Sequence, residues 1–315
     1  MPYNSAGTFR AGTLADVTYR VARELSAVRE GVATTGTATA IADTVNLTQA
    51  DDFFVGGGAW ILRDAAEAGA VPEGEMGQVT DFVNSSAVLT VAAVSGSSDP
   101  FSAAVLAGDR YAVTTSKYPP QQIIAEVNAA LLRMGSIEKT DRTSVDTASP
   151  QTEFGIPAAV SRDLRKVQIQ GRTGDSDDTR PKTIENWDIE RTAAGTSDLL
   201  MFPFQYTGSR DVYLTYMQEH SELDDPSDAI DESVDINLLV AETAVALLQW
   251  RDAGTGNDPN IQRQLDRWLK PGPEGVSELA RLRGEGKQEK EPLQPKYLTM
   301  GTRRPRDRFT YPGPA

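Results

Sequence analysis

The chain contains no cysteine and a single histidine, His220. Disulfides, thiolate metal sites and cysteine nucleophiles are thereby excluded, and the absence fits a reducing compartment. A histidine without a placed serine partner and orienting acid makes no hydrolytic triad, and a histidine metal centre would need companions. Phosphate-cradling P-loop, dinucleotide-binding and nucleophile-elbow patterns are missing too. With 45 Asp and Glu in the chain, carboxylate pairs arise by chance and do not single out a hydrolase. No apolar run approaches the roughly 18 residues of a membrane span, and Met1 to Arg10 lacks the apolar core of a signal peptide. The expectation is a soluble, unprocessed protein that is not an enzyme and needs no cofactor or metal.

Positive charge is also scarce, 31 Lys and Arg against 45 acids, for a net −14. What there is gathers at the C-terminus. Residues 284–315 are net +3, which leaves −17 on the rest, a body that repels nucleic acid. In contrast, residues 219–235 hold eight acids and no Lys or Arg. The length of 315 residues suggests about two domains.

Periodicity organises the chain. Leu14, Val17, Val21, Leu25 and Val28 line one face of a helix, with Thr13 and Asp16 as a capping box. Gly31 ends that period. Residues 30–115 then read as a separate β module rich in Gly, Ala, Thr, Ser and Val, with strands at Ala59 to Arg63, Gly77 to Val83, Ala87 to Val94 and Arg110 to Thr114. Its punctuation is Gly56-Gly57-Gly58, Pro72-Glu73-Gly74 and Asn84-Ser85-Ser86. Small side chains argue against a deep ligand pocket there.

A helix begins at Pro119-Pro120 and runs through Ile123, Val127, Ala130, Leu131 and Met134 to Gly135. Three or four strands of one antiparallel sheet are expected next, at Ala159 to Gln170, Thr183 to Arg191, Leu199 to Phe202 and Asp211 to Met217. Beyond Pro226, the spacing of Ile230, Val234, Leu238, Ala241, Val245 and Leu248 predicts a long helix with Asp225, Asp228, Asp231 and Glu232 at its N-terminal end. Asp258-Pro259 opens a shorter helix carrying Ile261, Leu265 and Trp268, and a last one spans Glu274 to Arg283. The fold class expected is α+β: a helical frame around a small antiparallel sheet, plus an inserted all-β barrel or sandwich and an extended C-terminal arm. Its divisions are 1–29 (frame helix), 30–115 (β module), 116–283 (core) and 284–315 (arm).

Several segments carry a resemblance: Tyr118-Pro119-Pro120-Gln121-Gln122-Ile123-Ile124, Glu153-Phe154-Gly155-Ile156-Pro157, the stretch around Trp187, and Asp211-Val212-Tyr213-Leu214-Thr215-Tyr216 leading through acids into an Ala- and Leu-rich helix. Over residues 119–270 the chain resembles the head-to-tail connector (adaptor) proteins of tailed bacteriophages. That resemblance implies a virion protein of the neck, assembled in the host cytoplasm. It implies a homo-oligomeric ring, usually of twelve copies, bound to the portal protein above and to stopper or tail proteins below, with DNA passing through unread. It leaves residues 30–115 unexplained; an outward decoration or an added capsid or tail contact would account for them. A stopper or other neck part is the alternative within the class. An adhesive, carbohydrate-binding protein acting through the β module is the alternative outside it.

Candidate binding residues follow from charge and ring chemistry. Tyr297, Arg303, Arg304, Arg306, Arg308, Phe309 and Tyr311 interleave the residue types favoured as interface anchors, and suit an arm that grips the portal. The same arginines could hold phosphates, which the −17 body opposes. Asp224, Asp225, Asp228, Asp231 and Glu232 would suit the lining of a DNA channel. A solvated helix start and a Ca²⁺ site are the other readings, though the spacing is not that of an EF-hand. Trp268, at a helix end, is the subunit-interface candidate.

Overall fold

A computed structural model of the protein describes residues 12–66, 72–95, 99–141, 151–169, 181–191, 197–206, 212–255, 258–272 and 276–289. In chain order these form α1 (Leu14–Glu24), β1 (Arg29–Val32), β2 (Thr35–Thr37), β3 (Ala40–Ala42), β4 (Gly58–Arg63), β5 (Met76–Val83), β6 (Val88–Ala92) and β7 (Arg110–Val113). There follow α2 (Pro120–Met134), β8 (Ile137–Asp141), β9 (Gln151–Pro157), α3 (Ala158–Arg162), β10 (Leu164–Ile169), β11 (Lys182–Thr183), β12 (Asp188–Glu190), β13 (Ser197–Tyr206) and β14 (Val212–Gln218). The chain ends in α4 (Ile236–Thr255), α5 (Pro259–Leu269) and α6 (Glu278–Glu289).

The strands of residues 29–113 form one antiparallel seven-stranded sheet in the order β1-β7-β4-β5-β6-β3-β2. Its two outermost strands are consecutive in the chain. Between β1 and β2 lie only Ala33 and Thr34, whose amides bond the carbonyls of Asp109 (2.8 Å) and Ala42 (2.7 Å). One ribbon thus pairs with β7 through its first half and with β3 through its second, so the sheet closes on itself and hides edges that would otherwise be exposed. Ile41, Ala59, Ile61, Phe82, Leu89, Tyr111 and Val113 fill the interior. A register shift between Val79 and Asp81 lets Val79 and Phe82 both point inward although they are three residues apart. At Gly57 a Cβ would stand 1.9 Å from the Thr114 carbonyl oxygen, so glycine is required where β4 begins beside the end of β7.

The outer face of this barrel is covered by helices. Trp60 and Ala112, which alternate with the inward-facing residues of β4 and β7, belong with Met76 to the core formed by α1, α2, α4, α5 and α6. Both faces of β4 are therefore dry, and Gly58 to Ile61 are all buried. At the seam the Trp60 indole donates to the Thr18 hydroxyl (3.2 Å), which donates to the Ala15 carbonyl (2.9 Å). Thr13 caps α1 by accepting from the Asp16 amide (3.3 Å), while the Asp16 carboxylate reaches back to the Gly12 amide (3.1 Å). α4 packs against α1, α2, α5 and α6, which is why it is apolar on more than one face.

The third core lies between a four-stranded sheet, β11-β10-β14-β8, and a three-stranded sheet, β12-β13-β9. Phe154, Leu200 and Phe202 from one meet Val167, Val212 and Leu214 from the other. Ser161 on α3 donates to the buried Asp198 carboxylate of β13.

These findings overturn the expected helical frame. The described residues build three antiparallel sheets and six helices, mostly sheet, and the helices form one of three cores rather than a scaffold around a small sheet. The single sheet expected after α2 is two sheets. The reason is strand length: β1, β2, β3, β11 and β12 have two to four residues, too few to show alternation, and exist because a longer neighbour supplies their hydrogen bonds. A second correction concerns α4, which starts at Ile236 and not near Ile230. Ile230 and Val234 are buried at helix-like spacing, but the backbone between them is turn, held by aspartate side chains that compete for its amides.

Candidate functional site

The acidic segment between β14 and α4 is a surface of fixed shape. Leu223, Ile230 and Val234 anchor it in the helical core. The Asn128 side chain of α2 donates to the Leu223 carbonyl (2.8 Å) and accepts from its amide (3.0 Å). The start of α1 binds it as well: the amides of Leu14 and Ala15 donate to the carbonyls of Asp228 (2.9 Å) and Pro226 (3.0 Å), and the Ile230 amide donates to Gly12 (2.7 Å).

Within that anchorage the carboxylates organise the turns. Asp228 accepts from the amides of Asp224 and Asp225, both at 2.9 Å. Asp225 accepts from the Ser227 amide (2.8 Å) and hydroxyl (2.7 Å), and Asp231 from the Ser233 amide (2.9 Å). Asp235, just before α4, accepts from the amides of Asn237 (2.9 Å) and Leu238 (3.3 Å), an N-cap arrangement. Asp231 is the most compensated acid. Burial pushes its carboxyl up, but hydrogen bonds from Ser233, then Lys139 at 3.7 Å and His220, outweigh burial and hold it below the usual carboxylate value.

Glu219, Glu222, Asp224, Asp225 and Glu232 remain exposed. The structure thus brings the predicted acids Asp224, Asp225, Asp228, Asp231 and Glu232 onto one ordered ribbon, in turns rather than on a helix. Among the described residues no cluster of three or more His, Asp or Glu is arranged to hold a metal ion. No helix among them is long and apolar enough to cross a membrane.

Trp268 is placed elsewhere. It is 7 % exposed, sunk with Ile261 and Leu265 into the helical core under the Arg267 guanidinium. The tryptophan left at the surface is Trp250 on α4, 47 % exposed. The arm residues Tyr297, Arg303, Arg304, Arg306, Arg308, Phe309 and Tyr311 lie outside the described residues.

Sequence reasoning missed a pocket at one end of the barrel, about 320 Å³, lined by Arg29, Glu30, Asn46, Leu47, Tyr111 and Val113. Two of its lining residues, Asn46 and Tyr111, hydrogen-bond a buried carboxylate, Asp43. Asp43 Oδ1 accepts from the amides of Val45 (2.9 Å) and Asn46 (3.0 Å), and Oδ2 from Asn46 Nδ2 (2.7 Å) and the Tyr111 hydroxyl (2.9 Å). Burial raises Asp43, yet these four donors prevail and keep it below 3.8. Burial, with Asp43 beside it, drives the Tyr111 hydroxyl far above its ordinary value, so it stays a donor. At Gly31 a Cβ would lie 2.5 Å from the Tyr111 oxygen and 2.7 Å from Asp43 Oδ2; the glycine makes room for this pair. The legible trace was Asp43 itself, whose side chain bonds the amide two residues on, at Val45, in an Asx turn.

No protein-family model matches the chain, and comparison with curated proteins gives no match.

Proposed function

We propose that this protein is a non-enzymatic virion component, a head-to-tail connector whose copies form a ring between portal and tail and extend the DNA channel. The observation that carries this reading is the acidic ribbon, a surface of one charge sign held in shape by α1 and α2. Turned toward a lumen, such a surface repels phosphate and keeps duplex DNA from adhering as it passes. The motif order over residues 119–270 supports the same reading.

Assembly then proceeds by multivalent docking. Each basic arm makes a modest contact with a symmetric portal, and after the first contact the rest form at high effective concentration. Closed rotational symmetry makes the lateral contact heterologous, one face of each copy against the opposite face of the next. The ring number, twelve in the resembling family, belongs to the proposal.

The ribbon can be tested without breaking its turns, because Glu222, Asp224 and Glu232 are exposed and their side chains hold none of the turn hydrogen bonds described above. The triple variant Glu222→Gln, Asp224→Asn, Glu232→Gln should assemble on portal rings like the parent but retain duplex DNA in a salt-sensitive way. Assembly with unchanged DNA passage would remove the ribbon from the lumen.

A further inference from the structure

The pocket at the barrel end holds Arg29, a cation that no ion pair engages among the described residues. Arg29 pairs with Val113 across the β1–β7 ladder, and directly opposed residues point to one face, here the barrel's interior side. Its guanidinium sits 5.5 Å from the centre of the half-exposed Phe53 ring, and no ion pair engages it among the described residues. Glu30, next along the strand and also in the lining, is occupied by the Tyr19 hydroxyl (2.8 Å) and Arg110 (3.1 Å). Asp43 has four donors and no capacity to spare for Arg29. Asn46 spends its amide nitrogen on Asp43, which leaves its carbonyl oxygen to accept a hydrogen bond. Leu47 and Val113, both buried in the barrel core, close the pocket's base.

We propose that this end of the barrel binds a carboxylate-bearing sugar residue, such as the uronic acid unit of an acidic polysaccharide. Arg29 takes the carboxylate with its planar fork, and the Asn46 oxygen accepts a ring hydroxyl. The pocket, about 320 Å³, is at the lower end of the ligand-site range of about 300–1,000 Å³, which suits a single ring. A simple carboxylate would use Arg29 alone and leave the Asn46 acceptor idle. The inference does not depend on ring assembly.

The test is titration of the full chain with sodium D-glucuronate, D-glucose and sodium acetate, followed by saturation-transfer NMR and calorimetry. Glucuronate should bind at least about tenfold more tightly than either comparison compound, the scale of a charge-assisted hydrogen bond. Arg29→Gln should abolish that preference, while Arg110→Gln, on the opposite face, should keep it. If Arg29→Gln fails to fold, Arg29→Lys replaces it and should bind about tenfold more weakly than the parent, since an ammonium lacks the fork. No transfer to glucuronate, acetate binding as tightly as glucuronate, or full binding by the Arg29 variants would each overturn the proposal.

Discussion

Trp60 joins the barrel to the helices, and its removal should be felt on both sides of the seam. The side chain is fully buried, facing α1 from a strand whose alternate residues, Ala59 and Ile61, face the barrel interior. Trp60→Ala deletes a large ring and leaves a cavity between two layers, a loss of about 3–5 kcal/mol. Trp60→Phe keeps most of the apolar area but removes the indole donor to Thr18. Because the Thr18 hydroxyl still donates to Ala15, no donor is stranded, and the hydrogen-bond part of the loss is about 1 kcal/mol. A double-mutant cycle with Thr18→Val should give a coupling energy of about 0.5–1.5 kcal/mol. Urea titration by circular dichroism measures the totals, and native-state hydrogen exchange shows where protection is lost. Amides of β4, β7, α1 and α4 should lose protection together. A cost for Trp60→Ala under about 1 kcal/mol, or loss confined to the barrel, would refute the shared core.

Three further outcomes follow from the geometry. Asp43 has a folded pKa below its unfolded value, so its stabilisation is fully present above about pH 3.8 and is lost as pH falls through the lower folded value; Asp43→Asn should be less stable than the parent at neutral pH, with the gap narrowing in acid-denaturation curves. Trp250→Ser should change monomer stability by no more than about 0.5 kcal/mol in denaturant titration, because the ring is half exposed, and should weaken lateral association seen by native mass spectrometry on portal rings. Removing residues 296–315 should leave the melting temperature unchanged and abolish co-sedimentation with portal rings; full attachment of the truncated chain would count against the arm.

Local signals were the legible ones. The Pro119-Pro120 start and Gly135 end of α2, the Thr13 cap of α1 and the Asp258 cap of α5 are written within a few residues of where they act. So are β4 to β7, each long enough or apolar enough to show itself. The closing ribbon of β1 and β2 was not legible, since Arg29 to Thr37 has no alternation of its own and is specified by its neighbours' free edges. α4 misled for the opposite reason: burial of Ile230 and Val234 mimics a helical face on a segment whose aspartates hold it in turns. The charge of the acidic ribbon could be read directly, but its anchoring to α1 and α2 could not, because it uses the α1 backbone and the Asn128 side chain, more than 90 positions distant. The barrel pocket assembles residues 29, 46, 47, 111 and 113 through strand register, which composition does not reveal.

Localisation of this chain on purified particles by electron microscopy with a specific label tests the connector reading most directly. A head-to-tail connector should carry label in a ring at the junction of capsid and tail, and none on fibres or the capsid shell. Label at the fibres, or particles that lack the chain altogether, would contradict it.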